Sequence, residues 1–174
     1  MDYATEDLRA LLEKTAKHLA CRDLDLIWEV HDKFGKCSRR ADNRRIVIRL
    51  NPTKEFIHLY SIFLHETAHA LYFDLKFKDR EAIELAADEQ FVIWGISVGA
   101  LLPTGMDWRC AQDPQDLIER LKILRRFGRE RHGYQDFLGA AVKNNVLNGL
   151  QQIIPHLRQG FERRAQALEK GDFE

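Results

Sequence analysis

The chain has 174 residues, a length that suits one domain, and its 27 Lys and Arg residues balance 27 Asp and Glu residues. Hydrophobic residues account for 45% of the chain and charged residues for 31%, which is typical of a globular protein and excludes a disordered one. The zero net charge argues against a protein that coats nucleic acid, since such proteins are strongly basic. We therefore expect no direct binding to DNA or RNA.

The apolar residues and the cysteines indicate the compartment. The longest apolar run, residues 91–102, is shorter than the roughly 20 residues that span a bilayer. The acidic start of the chain lacks the basic-then-apolar order of a secretory signal. Cys21, Cys37 and Cys110 form no CxxC pair, which favours a reducing compartment and argues against a thiolate metal site. We expect a cytoplasmic protein with no membrane contact.

The first third of the chain predicts one helix and two strands. Apolar residues recur at helical spacing over residues 3–20, and residues 24–30 alternate as in a strand. The polar, arginine-rich residues 35–45 are expected to form a loop. The β-branched run Ile46–Leu50, which an Asn-Pro pair ends, predicts the second strand. We expect the two strands to form a small antiparallel sheet.

The rest of the chain is predicted to be helical. Five further helices are expected, over residues 53–75, 79–102, 114–127, 136–154 and 155–170. Thr53 and Asp79 are expected to cap the first two, and Asp113 followed by a proline predicts the start of the third. The predicted fold class is α+β, mainly helical, with the small sheet beside the first of these helices. Within a single domain, residues 1–103 are expected to form a core and residues 104–174 a helical extension packed on it.

The segment His65-Glu66-Thr67-Ala68-His69 places two histidines four residues apart within a predicted helix. At 3.6 residues per turn both histidines lie on one face, about 6 Å apart along the axis. Both imidazoles could therefore bind a single Zn²⁺. Glu66 is too close in sequence to be a comfortable ligand, but it is well placed to take a proton from water at the metal. The alternative is a pair of ordinary, half-buried histidines.

A catalytic zinc needs a third protein ligand and an open position for water. The next predicted helix carries Glu81, Glu84 and Asp88. The most economical assignment makes Glu84 the third ligand. Asp88, one turn later, would accept the free ring N–H of a zinc-binding histidine and fix its tautomer. Glu81 is the alternative ligand, and Asp74 is less suitable because it follows the histidines too closely.

Other polar residues have less definite interpretations. His58 is expected to be a wall or surface residue, and the basic residues 120–131 a solvated helix face. Several side chains could stabilise an oxyanion, with no basis for a choice among them: Tyr60, Tyr72, His132, Tyr134 and His156.

The order of these motifs resembles that of ImmA/IrrE-type metallopeptidases, which are gluzincin-like proteins of bacteria, phages and mobile elements. The resemblance covers residues 24–103: the strand ending in Asn51-Pro52, the His65–His69 motif, Glu84-Leu85-Ala86-Ala87-Asp88, and Leu101-Leu102-Pro103. The chain departs from the family at Asp88, where Asn is common, and at Thr67-Ala68, where a glycine is usual. SprT-like proteases share the histidine motif but use a third histidine, and none lies between His69 and His132.

The resemblance implies a zincin-like fold and a zinc endopeptidase, with Glu66 as general base, that cleaves an intracellular protein, often a helix-turn-helix repressor. It also implies that the substrate lies extended along the strand Ile46–Leu50. The alternative is a zinc-stabilised regulatory module that binds a transcription factor without hydrolysing it. A third hypothesis is a helical protein without metal. The basic stretches 39–49 and 120–131 could attract an acidic partner.

Overall fold

The computed structural model describes residues 2–99, 101–102 and 107–126, so the helices expected over residues 136–154 and 155–170 lie outside the described part. Within it the fold is α+β, with four α-helices and one three-stranded sheet. The elements are α1 (Glu6–Ala20), β1 (Asp25–Trp28), β2 (Gly35–Arg39), β3 (Ile46–Leu50), α2 (Leu59–Leu71), α3 (Arg80–Gly99) and α4 (Pro114–Arg126). Among these helices, none combines the length and the apolar character needed to cross a membrane.

The sheet has the order β1-β3-β2, so β3 lies at its centre. β1 pairs with β3 in parallel and β2 pairs with β3 antiparallel, with Leu26 and Cys37 on either side of Ile48. The prediction of an antiparallel sheet is therefore wrong, because the sheet is mixed. The prediction that residues 35–45 are only a loop is also wrong. β2 has no fully buried residue, so it lacks the apolar alternation by which a strand is recognised in a sequence.

Two of the three predicted helix starts are confirmed by side-chain caps. Asp79 and Asp113 each accept a hydrogen bond from the backbone N–H three residues later, at 2.8 and 2.9 Å. Thr53 does not cap a helix, because its N–H and its hydroxyl both donate to Asn51 Oδ1. A short 3₁₀ helix, Phe56–His58, comes between Thr53 and the start of α2.

One hydrophobic core joins the sheet to the helices. α2 packs against α1, α3 and the strands β2 and β3, while α4 packs against α1 and α3. Each large apolar side chain removed from water contributes about 1.5–3 kcal/mol. Fully buried members of the core include Leu12, Leu19, Leu26, Ile48, Phe63, Leu64, Leu117, Leu121 and Leu124. Because α4 shares this core, the first helix after residue 103 lies on the body of the fold. The division at residue 103 stays a prediction.

Arg120 corrects the interpretation of residues 120–131 as a solvated helix face. Its side chain is fully buried, its Nε donates to Asp116 at 3.1 Å, and its guanidinium lies 5.1 Å from the centre of the Tyr60 ring. The helical repeat places Arg120 in the same buried stripe as Leu117 and Leu121. Tyr60 is thereby a core residue, with its ring fully buried.

Candidate metal centre

His65 and His69 lie one turn apart on α2, on the face that approaches β2 and α3. Their Nε2 atoms are 3.0 Å apart, and their rings are nearly perpendicular. Both side chains are mostly buried, with 23% and 16% of their surface exposed. The helical spacing therefore aims two ring nitrogens at the same point, as the sequence predicts.

Glu84 on α3 completes the group. Its Oε2 lies 3.2 Å from His65 Nε2, and its Oε1 lies 3.5 Å from His69 Nε2. A tetrahedral centre with bonds of 2.0–2.1 Å separates its ligand atoms by about 3.3 Å, close to these distances. Among the described residues, this is the one group of His, Cys, Asp and Glu side chains that could hold a metal ion, with ligand atoms within 4.8 Å of one another. The chain thus has a candidate metal centre.

Small side chains let α2 and α3 approach closely at this centre. Ala68 on α2 and Ala86 and Ala87 on α3 are buried, and all three belong to the common core. A larger side chain at any of these positions would have to be accommodated between the helices. The buried alanines therefore help to bring Glu84 within reach of the two histidines.

Asp88 lies on the far side of the His65 ring. Its Oδ1 is 2.9 Å from His65 Nδ1. In the neutral form of His65, an ionised Asp88 favours the proton on Nδ1 and leaves the lone pair of Nε2 directed at Glu84 and His69. Burial opposes the charged form of His65, but the bond to Asp88 and the neighbouring carboxylates outweigh it and raise the pKa of His65. Burial and the charge on His65 lower the pKa of His69, which favours a neutral imidazole there.

Glu66 is not one of the three candidate ligands, and its side chain lies against Gly35 of β2. It is buried, with 8% of its surface exposed. Burial raises the pKa of Glu66 to about 7, and the nearby charge of His65 and a hydrogen bond from the Cys37 backbone act in the opposite direction. A carboxyl group with a pKa near neutrality can both accept and release a proton at physiological pH.

β2 passes directly over Glu66. A Cβ atom at Gly35 would lie 2.8 Å from Ile62 Cγ2 and 2.9 Å from Glu66 Cγ, closer than real Cβ contacts. The absence of a side chain at Gly35 is therefore what allows the strand to approach the carboxylate. The Cys37 backbone then supplies its hydrogen bond to Glu66. This contribution of β2 is the part of the site that the sequence analysis missed.

The expectation that a substrate lies along Ile46–Leu50 is corrected by the sheet order. β3 pairs with a neighbour on both sides, so its backbone groups are already used. β2 pairs on one side only and forms the edge of the sheet beside the metal centre. In the sequence, the glycine at residue 35 is the one sign that the backbone of this segment could approach another part of the fold closely. The residues around it show no strand pattern.

Two cavities meet at the centre, and both include His65 and Glu66. The larger, of about 870 Å³, extends past the end of α2. Its lining includes Lys33, Lys36, Tyr72, Phe73, Phe77 and Ile83. The smaller, of about 310 Å³, is lined mainly by Phe34, Ile62 and Phe91. Together they form a cleft beside β2 at the candidate metal centre, since both are lined by Gly35, His65 and Glu66.

The alternative acidic ligands do not join the group. Glu81 is exposed and contributes no atom to the metal cluster. Asp74 forms ion pairs with Arg22 and Arg39, at 2.5 and 2.7 Å. His58 is half-exposed and contacts the Phe34 ring at 5.8 Å, in agreement with a surface or wall residue.

Two of the candidate oxyanion-stabilising residues can be placed. Tyr60 is buried beneath Arg120 and does not line the larger cavity. Tyr72 lines that cavity, and its hydroxyl donates to Gln90 at 2.5 Å. His132, Tyr134 and His156 lie outside the described residues.

Comparisons of the chain with models of protein families, with curated proteins and with solved structures gave no match. The functional assignment therefore depends on the geometry of the site. His65, His69 and Glu84 can hold a metal ion, and a buried Glu66 lies beside them at the edge of a sheet.

Proposed function

We propose that the protein is a zinc-dependent endopeptidase. The observation that carries the proposal is the convergence of His65, His69 and Glu84 within 4.8 Å of one another, next to a buried Glu66. Two imidazole nitrogens and one carboxylate are a common protein ligand set of catalytic Zn²⁺. The cleft beside the three ligands leaves room for a water molecule and a substrate carbonyl.

When bound, Zn²⁺ supplies Lewis acidity that polarises a water molecule and a peptide carbonyl. Glu66 takes the proton from the water as it attacks the carbonyl and then delivers that proton to the leaving amine. Asp88 holds His65 in the tautomer that presents Nε2 to the metal. The raised pKa of Glu66 suits proton transfer near neutrality, and a cation in the centre would lower it again.

An extended peptide can bind along the free edge of β2. Edge strands offer unpaired backbone N–H and C=O groups, and an added strand aligns its own backbone with them. β2 lies against Glu66 at Gly35, so a peptide on this edge would pass close to the proton acceptor. This support for a peptide substrate comes from the sheet order and the position of the cleft.

The family and the partner belong to the same proposal. The order of motifs over residues 24–103 supports an ImmA/IrrE-type, zincin-like protein whose substrate is a protein such as a helix-turn-helix repressor. Asp88 departs from the usual residue of that family, and its bond to His65 gives it a role in this chain.

The test uses zinc-loaded protein with Glu66→Gln, which keeps the size of the side chain but removes the proton acceptor. This variant should bind zinc like the wild type and retain a partner protein from lysate of the host cell. Wild-type protein should cleave the retained partner, and the variant should not. Glu81→Gln, an equal change on the exposed side of α3, should cleave normally.

Two results would contradict the proposal in different ways. Cleavage by the Glu66→Gln variant at the normal rate would show that Glu66 is not the proton acceptor. A partner that both proteins bind and neither cleaves would favour the regulatory module, in which the metal only stabilises a binding fold.

A further inference from the structure

The larger cavity has a cationic wall. Lys33, Lys36 and Arg80 line it, and none of the three forms an ion pair with a carboxylate in the described part of the chain. Lys33 lies near enough to Glu66 to lower the pKa of that carboxyl. A basic side chain at a cleft with no partner of its own is available to a ligand of opposite charge.

The arginines of the sheet differ from these residues. Arg39 pairs with Asp74 at 2.7 Å, and Arg45 pairs with Asp23 and Asp25 at 2.7 and 3.0 Å. The stretch 39–49, which the sequence suggested as an attractor of acidic partners, is therefore largely neutralised within the fold. The positive charges that remain available to an acidic partner are those of the cavity wall, which lie nearer the cleft than these arginines do.

The carboxylates of the cavity do not cancel this charge once a metal is bound. Glu66, Glu84 and Asp79 also line the cavity, so its lining holds three carboxylates and three basic residues. Glu84 is a proposed ligand, and Asp79 accepts the N–H of Ala82 as the cap of α3. A divalent cation added to this balanced set makes the cleft positive.

Lys36 occupies a specific place on the edge strand. Side chains alternate along β2, so Lys36 lies on the face opposite to that of Gly35 and Cys37. A strand added to this edge brings its own residues to within about 5 Å of their partners, where opposite charges attract. A residue of the added peptide opposite Lys36 would therefore be favoured if it were acidic.

We propose that the edge of β2 selects an acidic extended peptide, with an Asp or Glu of the substrate opposite Lys36 and a second carboxylate near Lys33. The inference rests on the proposed function, because it names the substrate class for the same cleft. Neutral and basic peptides should bind to the same edge with lower affinity.

The test measures binding and leaves hydrolysis aside. Three fluorescent dodecapeptides that alternate Thr with Glu, Gln or Lys are titrated into the zinc-loaded, full-length Glu66→Gln variant by fluorescence polarisation. Two exposed charge pairs are worth about twofold to thirtyfold in affinity, so the Glu peptide should bind more tightly than the Gln peptide by that factor. The advantage should shrink as salt is added.

Charge reversal provides the matched comparison. Lys33→Glu combined with Lys36→Glu should abolish the preference for the Glu peptide or transfer it to the Lys peptide. Lys14→Glu, the same charge change at an exposed position of α1 away from the cleft, should leave the preference unchanged.

The inference is wrong if the Glu peptide does not bind, if it binds no better than the Gln peptide, or if its advantage survives the double reversal. Cleavage of the same peptides by the wild type is recorded separately. Selective binding of the Glu peptide without cleavage by the wild type would support the acidic selection and count against the peptidase function.

Discussion

Asp88 Oδ1 accepts a hydrogen bond from His65 Nδ1 at 2.9 Å, on the side of the imidazole opposite the nitrogen that faces Glu84 and His69. A carboxylate in this position fixes the ring orientation and makes Nε2 a better donor to a metal. The contact joins α3 to α2, so the same helix supplies both a proposed ligand and the group that orients another ligand.

Replacing Asp88 should weaken zinc binding without abolishing it. Loss of such a partner typically costs about tenfold to a hundredfold in metal affinity, and we expect a loss in this range for Asp88→Ala. Asp88→Asn keeps an acceptor oxygen and should lose less. A chelator competition titration measures both affinities. Equal affinities for wild type and Asp88→Ala would contradict the role given to this carboxylate.

Gly35→Ala should impair catalysis more than zinc binding. The new methyl group would lie within 3 Å of Glu66 and Ile62 side-chain atoms, so Glu66 or the strand must move. Misplacing a reacting group by about 1 Å can cost a hundredfold in rate. The measurement is the cleavage rate of the captured substrate at a zinc content equal to that of the wild type. An unchanged rate would mean that β2 does not position Glu66.

Gly95 and Gly99 form a groove on α3 that holds Trp108. A Cβ at Gly95 would lie 2.7 Å from Trp108 Cε3, so Gly95→Ala should lower the free energy of unfolding by about 1–3 kcal/mol. A Trp108→Ala background removes the two shortest contacts, those with the indole ring, and leaves the backbone oxygen of residue 108 at 3.3 Å. There the same change should cost much less or raise stability by up to about 1 kcal/mol, since alanine is the better helix former.

Denaturant unfolding of the four proteins gives this double-mutant cycle. A destabilisation of equal size in both backgrounds would assign the effect to something other than the contact with Trp108.

Arg45 should stabilise the fold only while its partners Asp23 and Asp25 are ionised. Its hydrogen bond lowers the pKa of Asp25 from the ordinary value. A carboxyl group with a lowered folded-state pKa contributes stability above its unfolded pKa of about 3.9, and that contribution disappears as the pH falls through the folded pKa. The stability difference between wild type and Arg45→Gln should therefore be present at about pH 6 and should shrink as the pH falls below about 3.9.

Arg44→Gln is the control, because the Arg44 side chain is exposed on the neighbouring residue. A difference for Arg45→Gln that does not shrink at low pH would show that the effect does not come from ionised Asp23 and Asp25.

The parts of the site that follow from helical geometry could be predicted from the sequence. The spacings of His65 with His69 and of Glu84 with Asp88 place each pair on one helix face, whatever the rest of the fold does. The convergence of the two pairs depends on how α2 and α3 pack, and the expectation that Glu84 approaches the histidines agrees with the observed distances.

The features that sequence reasoning missed depend on tertiary contacts. β2 is a half-exposed edge strand without apolar alternation, so its pairing with β3 and its approach to Glu66 leave no periodic signal. Arg120 was assigned to a solvated helix face together with its basic neighbours, because the apolar residues of that stretch keep helical spacing, although Asp116 and the Tyr60 ring accommodate it in the core. Packing brings β3 to β2 and the Tyr60 ring to Arg120, whereas Asp116 lies only one helical turn from Arg120.

The metal content of matched variants tests the central claim most directly. Elemental analysis of purified, zinc-dialysed protein should find about one zinc per chain for the wild type and for Glu81→Ala, and well below one for Glu84→Ala, because Glu84 faces both histidines and Glu81 does not join the group. A wild-type protein that takes up no zinc when zinc is supplied, or a Glu84→Ala variant that binds zinc as fully and as tightly as Glu81→Ala, would contradict the proposed centre.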